Sequence, residues 1–244
     1  MRKISQYIRS ALFVFLMYAW MLILGLVGAI PAALSRDWTY AIMHLYCRNV
    51  LWLLRVLCGI TYEVRGEIPT GDVVIASKHQ SFLDVILHSH IVPRMNFVMK
   101  RELKYAPILG FYAMRIGAAP VKRGDKSKAV SQMMKGVKRK VGDVAQLIIY
   151  PQGTRVAPGD YLPYKVGAAV ICSRLGKPCY PAATNAGVFW PKRGILRNPG
   201  VVVVEYLEAM PEGLKLEEFT KVMEERIETA SDKLMAEAGF IPKA

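Results

Sequence analysis

Ala11 to Ser35 is an unbroken apolar run of mostly Leu, Val, Ile, Phe, Met and Ala, with no charged side chain. As a helix, about 24 residues at ~1.5 Å each give about 36 Å, enough to cross the hydrocarbon core of a bilayer. Arg2, Lys3 and Arg9 precede it, and this basic flank predicts a cytoplasmic amino terminus. A second apolar segment, Trp38 to Tyr62, differs in kind. Its His44, Arg48 and Arg55 fall within about 40° of one another at ~100° per residue, so the predicted helix carries one narrow polar stripe. Pro31 and Ser35-Arg36-Asp37 predict a turn between the two helices. A charged stripe is costly at the bilayer centre, so the expectation is a hairpin dipping into one leaflet. The first run also exceeds the roughly 7–15-residue apolar core of a cleaved signal peptide, and the cleavage pattern near Ala33 is poor.

From Val73 the rhythm changes to short apolar runs alternating with helix-like stretches. Strands are predicted at Val73–Ala76, Asn96–Met99, Gln146–Tyr150, Cys179–Ala183 and Val201–Leu207. Helices are predicted at Ser81–Ile91, Pro107–Arg115, Ser127–Lys140, Lys165–Leu175 and Leu216–Ala238. This alternation predicts an α/β fold, a layered and largely parallel sheet flanked by helices. The expected organisation is an N-terminal two-helix hydrophobic membrane anchor over residues 1–62 and an α/β domain over 63–244.

Composition sharpens this picture in one respect. The formal charge is +14, with 33 Lys and Arg against 19 Asp and Glu. Lys100 to Lys140 holds 12 basic and two acidic residues, whereas Glu205 to Glu237 holds ten acids and four bases. Such a field attracts anionic lipid or anionic ligands. No zinc-finger, helix-turn-helix or RNA-binding aromatic pattern points to nucleic acid. Cys47, Cys58, Cys172 and Cys179 lack metal-ligand spacing and read as small core residues of a reducing compartment.

Four stretches carry candidate chemistry. In VVIASKHQSFLDVILHSH a strand ends at Ser77 and His79 stands at its carboxyl end, where open α/β sheets place ligands. On one continuous helix His79 and Asp84 would point about 140° apart. With Ser81 as N-cap, His79 lies in the preceding turn and Asp84 in the first helical turn, and the two can meet as a base and its orienting carboxylate. The alternative at this point is a capping box, in which Asp84 only satisfies backbone N–H groups. His88 and His90 complete no metal set with His79. The second stretch runs from FVMK to Gly117-Ala118-Ala119-Pro120-Val121-Lys122-Arg123, where Lys122 and Arg123 could grip a phosphate. In the third, LIIYPQGTRVAPG, a strand runs into Pro151-Gln152-Gly153-Thr154-Arg155, and Arg155 could fork onto phosphate oxygens. The fourth is the strand in CYPAATNAGVFW.

In this order and spacing, the four stretches resemble the glycerolipid acyltransferase family that includes the 1-acylglycerol-3-phosphate acyltransferases. Its His-x4-Asp motif matches His79 and Asp84, and its glycine-to-arginine block matches Gly117 to Arg123. Its Glu-Gly-Thr-Arg block falls on Gln152, Gly153, Thr154 and Arg155, and its proline-bearing strand on Tyr180 to Ala183. The resemblance implies transfer of a fatty acyl group from acyl-CoA or acyl carrier protein to the sn-2 hydroxyl of a 1-acylglycerol 3-phosphate, giving phosphatidic acid for phospholipid biosynthesis. It implies His79 as general base oriented by Asp84, with Lys122, Arg123 and the Gln152–Arg155 turn on the acceptor phosphate. Oxyanion donors are expected among backbone N–H groups near Gly153 or at the helix start after His79. No metal or bound cofactor is implied. The expected partners are the acyl donor, the lysophospholipid and an anionic membrane surface, at the cytoplasmic face of the cell membrane. Other acceptors (glycerol 3-phosphate, another lysophospholipid, an amino-acid lysolipid) fit the same four blocks, and a non-catalytic basic membrane-surface protein is a further alternative.

The chain departs from the family pattern at Gln152, where an uncharged amide stands in place of Glu. An amide can hydrogen-bond to Arg155 or to a substrate hydroxyl but cannot act as an acid or base. If charge is what matters there, the site is one unit more positive and its acceptor preference changes.

Overall fold

In the computed structural model, which describes residues 2–122 and 145–241, the amino-terminal quarter is helical. Helix α1 (Arg2–Val27) is followed by the short α2 (Ala29–Leu34) and by α3 (Arg36–Leu53). The turn falls where Ser35 suggested, with extended backbone and an Oγ that accepts from the Asp37 N–H at 3.2 Å. Beyond α3 the chain widens into one π-type turn, Leu54–Cys58, which Gly59 ends in the left-handed conformation at φ 71°. Lys3–Val27 and Arg36–Cys58 are both long and apolar enough to cross a membrane by length and composition.

The apolar segment expected to stay helical to Tyr62 changes character at that glycine. Ile60–Arg65 is strand β1, because the left-handed residue breaks the helix and Ile60, Thr61 and Val64 favour a pleated chain. Next come β2 (Val73–Ser77), α4 (Leu83–Ile91), β3 (Met95–Lys100), a 3₁₀ turn (Arg101–Tyr105), α5 (Pro107–Ile116) and β4 (Ala119–Val121). They are followed by β5 (Gln146–Ile149), α6 (Gly167–Leu175), β6 (Cys179–Thr184), the single turn α7 (Ala186–Phe189), β7 (Gly200–Tyr206) and α8 (Leu216–Glu237). The expected helix at Ser127–Lys140 lies outside the described residues.

The seven strands form one sheet in the order β1-β7-β6-β2-β5-β3-β4. Every pairing is parallel except β6 with β7, so β1 and β7 run against the other five. The expected largely parallel sheet is therefore present, with an antiparallel junction near one edge. In the centre of the sheet, residues alternate between two cores. Val73, Ile75 and Ile148 pack with α1, α3 and α4, among them Phe13, Val50 and Leu87. Val74, Ala76, Leu147 and Ile149 pack with α6 and α8 through Ile171, Met223 and Ile227. That two-residue period makes a three-layer helix–sheet–helix sandwich.

The amino-terminal helices are one of its layers. Gln6 Nε2 donates to the carbonyls of Cys58 and Arg197 at 3.2 and 2.5 Å, and Phe13 meets Trp190 edge-on at 5.5 Å. Their outer faces expose Ile8, Leu12, Phe15, Leu22, Leu26 and Trp38. The helices are thus apolar on both sides, one face for the protein core and one left uncovered.

Candidate active site

β2, β5, β3 and β4 run in parallel, so their carboxyl ends emerge along one edge of the sheet. Ala76 pairs with Ile149, so His79 and Gln152, each three residues further on, leave the sheet side by side. Lys122 follows β4 on the same edge and is exposed. Arg123, its expected companion, lies outside the described residues.

His79 and Asp84 converge. The Nδ1 of His79 lies 3.0 Å from Asp84 Oδ2, and the same oxygen accepts the backbone N–H groups of Gln80 at 2.7 Å and Ser81 at 2.8 Å. The capping arrangement and the base–carboxylate pair are therefore one structure, with Ser81 Oγ also accepting from the Leu83 N–H at 3.1 Å. A carboxylate oxygen accepts and does not donate, so Nδ1 is the donor of the third contact. That leaves Nε2 as the nitrogen open to a substrate, with no hydrogen-bond partner among the described residues. Asp84 has no exposed side-chain surface, whereas His79 keeps 14% of its own.

The turn from Pro151 to Arg155 wraps around this histidine and is tied to it at both ends. The Tyr150 ring stacks on the imidazole with centroids 3.9 Å apart, and the Val156 N–H donates to the His79 carbonyl at 2.8 Å. Burial first, then the nearby Asp84 charge, push the Tyr150 phenol well above its ordinary pKa, so it stays neutral. Gly153 closes the turn at φ 71°, its N–H donating to the Tyr150 carbonyl at 2.9 Å. The half-buried Arg155 makes no ion pair with an acid among the described residues, and Thr154 is half-buried beside it.

Gln152 is 1% exposed and does not reach Arg155. Its Nε2 donates to the Leu162 carbonyl at 3.2 Å and its Oε1 is buried without a partner. Of its two candidate partners, Arg155 is not bonded, because the side chain turns inward, toward the segment that leads into α6. Some of the N–H groups near Gly153 and at the helix start have other partners. The N–H groups of Gly153, Gln80 and Ser81 are already engaged, with Tyr150 and with Asp84.

Three groups near the site carried no motif in the sequence. Lys78 is 2% exposed and is neutralised by Glu228 of α8, with Nζ to Oε1 at 2.6 Å. Tyr164 donates to the same Oε1 at 2.7 Å, so α8 anchors the strand end that carries His79. Tyr150 is the second, signalled only by an aromatic residue between a strand and a proline. The third is Lys165, whose ammonium lies over Gly153. On the opposite face of the loop, Phe82 forms part of an apolar cavity of about 100 Å³ shared by α1, α3, α4 and α5, lined also by Met21, Ile42, Val85, Phe97 and Tyr112.

Residues 59–185 match the sequence model of the Acyltransferase family. A 1-acyl-sn-glycerol-3-phosphate acyltransferase of Pseudomonas aeruginosa is 33% identical over 209 residues, covering 84% of this chain and 81% of that protein. The human 1-acyl-sn-glycerol-3-phosphate acyltransferase beta is 31% identical over 158 residues, 63% of this chain and 57% of that one. Among solved structures, the 1-acyl-sn-glycerophosphate acyltransferase PlsC of Thermotoga maritima superposes with a TM-score of 0.80 at 22% identity, covering 97% of this chain and 100% of that one. At that identity the likeness is one of fold.

Proposed function

Since the chain belongs to the Acyltransferase family, we propose that it moves a fatty acyl group from acyl-CoA or acyl carrier protein to the sn-2 hydroxyl of 1-acylglycerol 3-phosphate, producing phosphatidic acid. The observation that carries the mechanism is the 3.0 Å contact between His79 Nδ1 and Asp84 Oδ2, with Nε2 left open. A hydroxyl is a weak nucleophile near neutral pH, and a positioned base contributes about 10²–10⁴-fold. His79 Nε2 takes the hydroxyl proton as the oxygen attacks the thioester carbonyl. Asp84 holds the ring in the tautomer that makes this possible and stabilises the imidazolium. The tetrahedral intermediate then expels the thiolate, which takes the proton back from Nε2, so the enzyme returns unchanged without a covalent intermediate.

Arg155, with Lys122 and Arg123, holds the acceptor phosphate and so fixes the hydroxyl against His79. The apolar cavity behind Phe82, whose walls are almost entirely hydrocarbon and aromatic, suits part of an acyl chain. The uncovered faces of α1 and α3 suit an enzyme whose acceptor and product both live in a membrane, lying in the cytoplasmic leaflet. The test is purified protein with labelled acyl-CoA or acyl carrier protein, offered a panel of lysolipids and glycerol 3-phosphate. Label moving into phosphatidic acid supports the reading. Preference for a lysolipid without phosphate would overturn the acceptor assignment and leave the chemistry at His79 standing.

A further inference from the structure

Lys165 lies outside all four motif stretches, yet its side chain is folded back onto one of them. A Cβ built on Gly153 would sit 2.6 Å from Lys165 Nζ, 3.5 Å from Cε and 3.6 Å from Cδ. The aliphatic stem thus runs along the turn and the ammonium occupies the space that glycine leaves empty. Gly153 is glycine for its left-handed φ of 71°, and the lysine tip takes up the space beside it.

The lysine is held in register with the candidate base. Its backbone N–H donates to the Pro151 carbonyl at 3.1 Å, and Gln152 Nε2 donates to Leu162 O three residues earlier. These two bonds clamp residues 162–165 to the turn. The turn is clamped in its own right to His79, by the Tyr150 stack before it and the Val156 hydrogen bond after it. Lys165 therefore rides on the turn that is tied to His79.

Among the described residues no carboxylate lies within ion-pair distance of Lys165, and Glu228, the acid bound by the adjacent Tyr164, is engaged by Lys78. Gln152, at the head of the turn, contributes an amide and no counter-charge. Lys165 is itself exposed, but its head lies against Gly153 and adds a second cation to a turn that already carries Arg155.

We propose that Lys165 is a phosphate-binding residue of the acceptor site and that it favours a phosphate monoester over a phosphodiester headgroup. The proposal rests on the acceptor reading above. A monoester, with its second pKa near about 6, carries close to two negative charges at neutral pH, and a diester carries one. An additional cation therefore stabilises the monoester more, because Coulomb energy scales with the charge product.

The test compares full-length wild type, Lys165→Gln and Lys165→Arg with one acyl donor and two acceptors, 1-acylglycerol 3-phosphate and its phosphate methyl diester. The diester is read as a substrate or, where it is not turned over, as a competitive inhibitor. Losing one charge-assisted hydrogen bond predicts that Lys165→Gln raises the KM for the monoester by about 10- to 100-fold. The diester constant and the KM for the acyl donor should move far less, and Lys165→Arg should recover most of the loss. The ratio of the two acceptors within one preparation does not depend on the fraction folded, so poor folding cannot imitate the result. Equal losses on both acceptors, or a fall in kcat alone, overturn the proposal. Wild type that accepts no phosphate-bearing lysolipid overturns the acceptor reading itself, and that outcome is seen before any variant is made.

Discussion

His79 and His88 belong to the same strand–helix unit, nine residues apart, and meet opposite fates. His79 stands beyond the carboxyl end of β2, with one nitrogen on Asp84 and the other unengaged. His88 is buried in the middle of α4, with Tyr206 Oη 3.0 Å from Nδ1 and Ser77 Oγ 2.9 Å from Nε2. Desolvation pushes its pKa down to about 4, against a smaller opposing pull from Asp84. Residue type is the same and the neighbourhood decides. A base needs one oriented nitrogen and one reachable nitrogen, and His88 has spent both on joining α4 to β2 and β7.

Substituting His79 should have the largest effect. His79→Ala should lower the initial rate by about 10²–10⁴-fold with an unchanged melting curve, because the side chain stands at the edge of the core. A purified His79→Ala enzyme with near-normal turnover removes the base from the mechanism.

Next is Asp84→Asn, which separates the capping role from the orienting one. The amide oxygen can still accept from the Gln80 and Ser81 N–H groups, so α4 should still start in place. The imidazole, however, loses the partner that fixes its tautomer, and kcat should fall by at least about 10²-fold. A variant that unfolds while the surviving folded fraction works normally would say that capping was the whole role of Asp84.

His88→Gln should leave the rate per folded molecule close to wild type and alter the pH dependence of stability. The folded-state pKa of about 4 lies below the ordinary 6.5, so the unfolded chain binds the proton more readily between those values. Wild type should therefore lose stability as pH falls below 6.5, by about 3 kcal/mol at pH 4 from this group alone. Urea midpoints at pH 7 and pH 4.5 should converge more closely in the variant. An unaltered pH slope would mean that His88 is not held neutral.

Gln152 lies between the two cases, buried like His88 but in the wall of the site like His79. Gln152→Glu puts an acceptor against the Leu162 carbonyl and should cost roughly 1–3 kcal/mol of stability, read as a lower melting temperature, with activity changed only a few-fold. A large rate loss or a new acceptor at unchanged stability would make charge, and not the bond to Leu162, the property that counts.

The sequence was most informative where one period governed a whole element. β2, β3, β5, β6 and β7 each fall within a residue or two of their apolar runs, most sharply β2 and β5, which lie inside the sheet and are buried on both faces. β1 was missed because its residues continue the apolar segment before it and only Gly59 marks the change. At the site, His79 and Asp84 were visible as a spacing. Their meeting depended on a turn in which one carboxylate oxygen gathers an imidazole and two backbone amides. Of the two partners open to Gln152, Arg155 and a substrate hydroxyl, the structure bonds it to neither but to the Leu162 carbonyl, since sequence proximity says nothing of which way a turn buries its side chains. Lys165 had no signal, because a lysine in a loop is indistinguishable from a solvated one until its ammonium is seen lying on a glycine.

By itself, then, the sequence determined the alternation of strands and helices, the apolar amino-terminal helices, and the chemical groups available at the carboxyl edge of the sheet. These follow from local periodicity and residue chemistry, which each segment carries with it. Tertiary structure alone decided that α1 and α3 form a layer of the core, that β2 and β5 lie side by side, and which histidine keeps a free nitrogen. Those outcomes depend on contacts between segments distant in the chain, and strand order and burial settle them together.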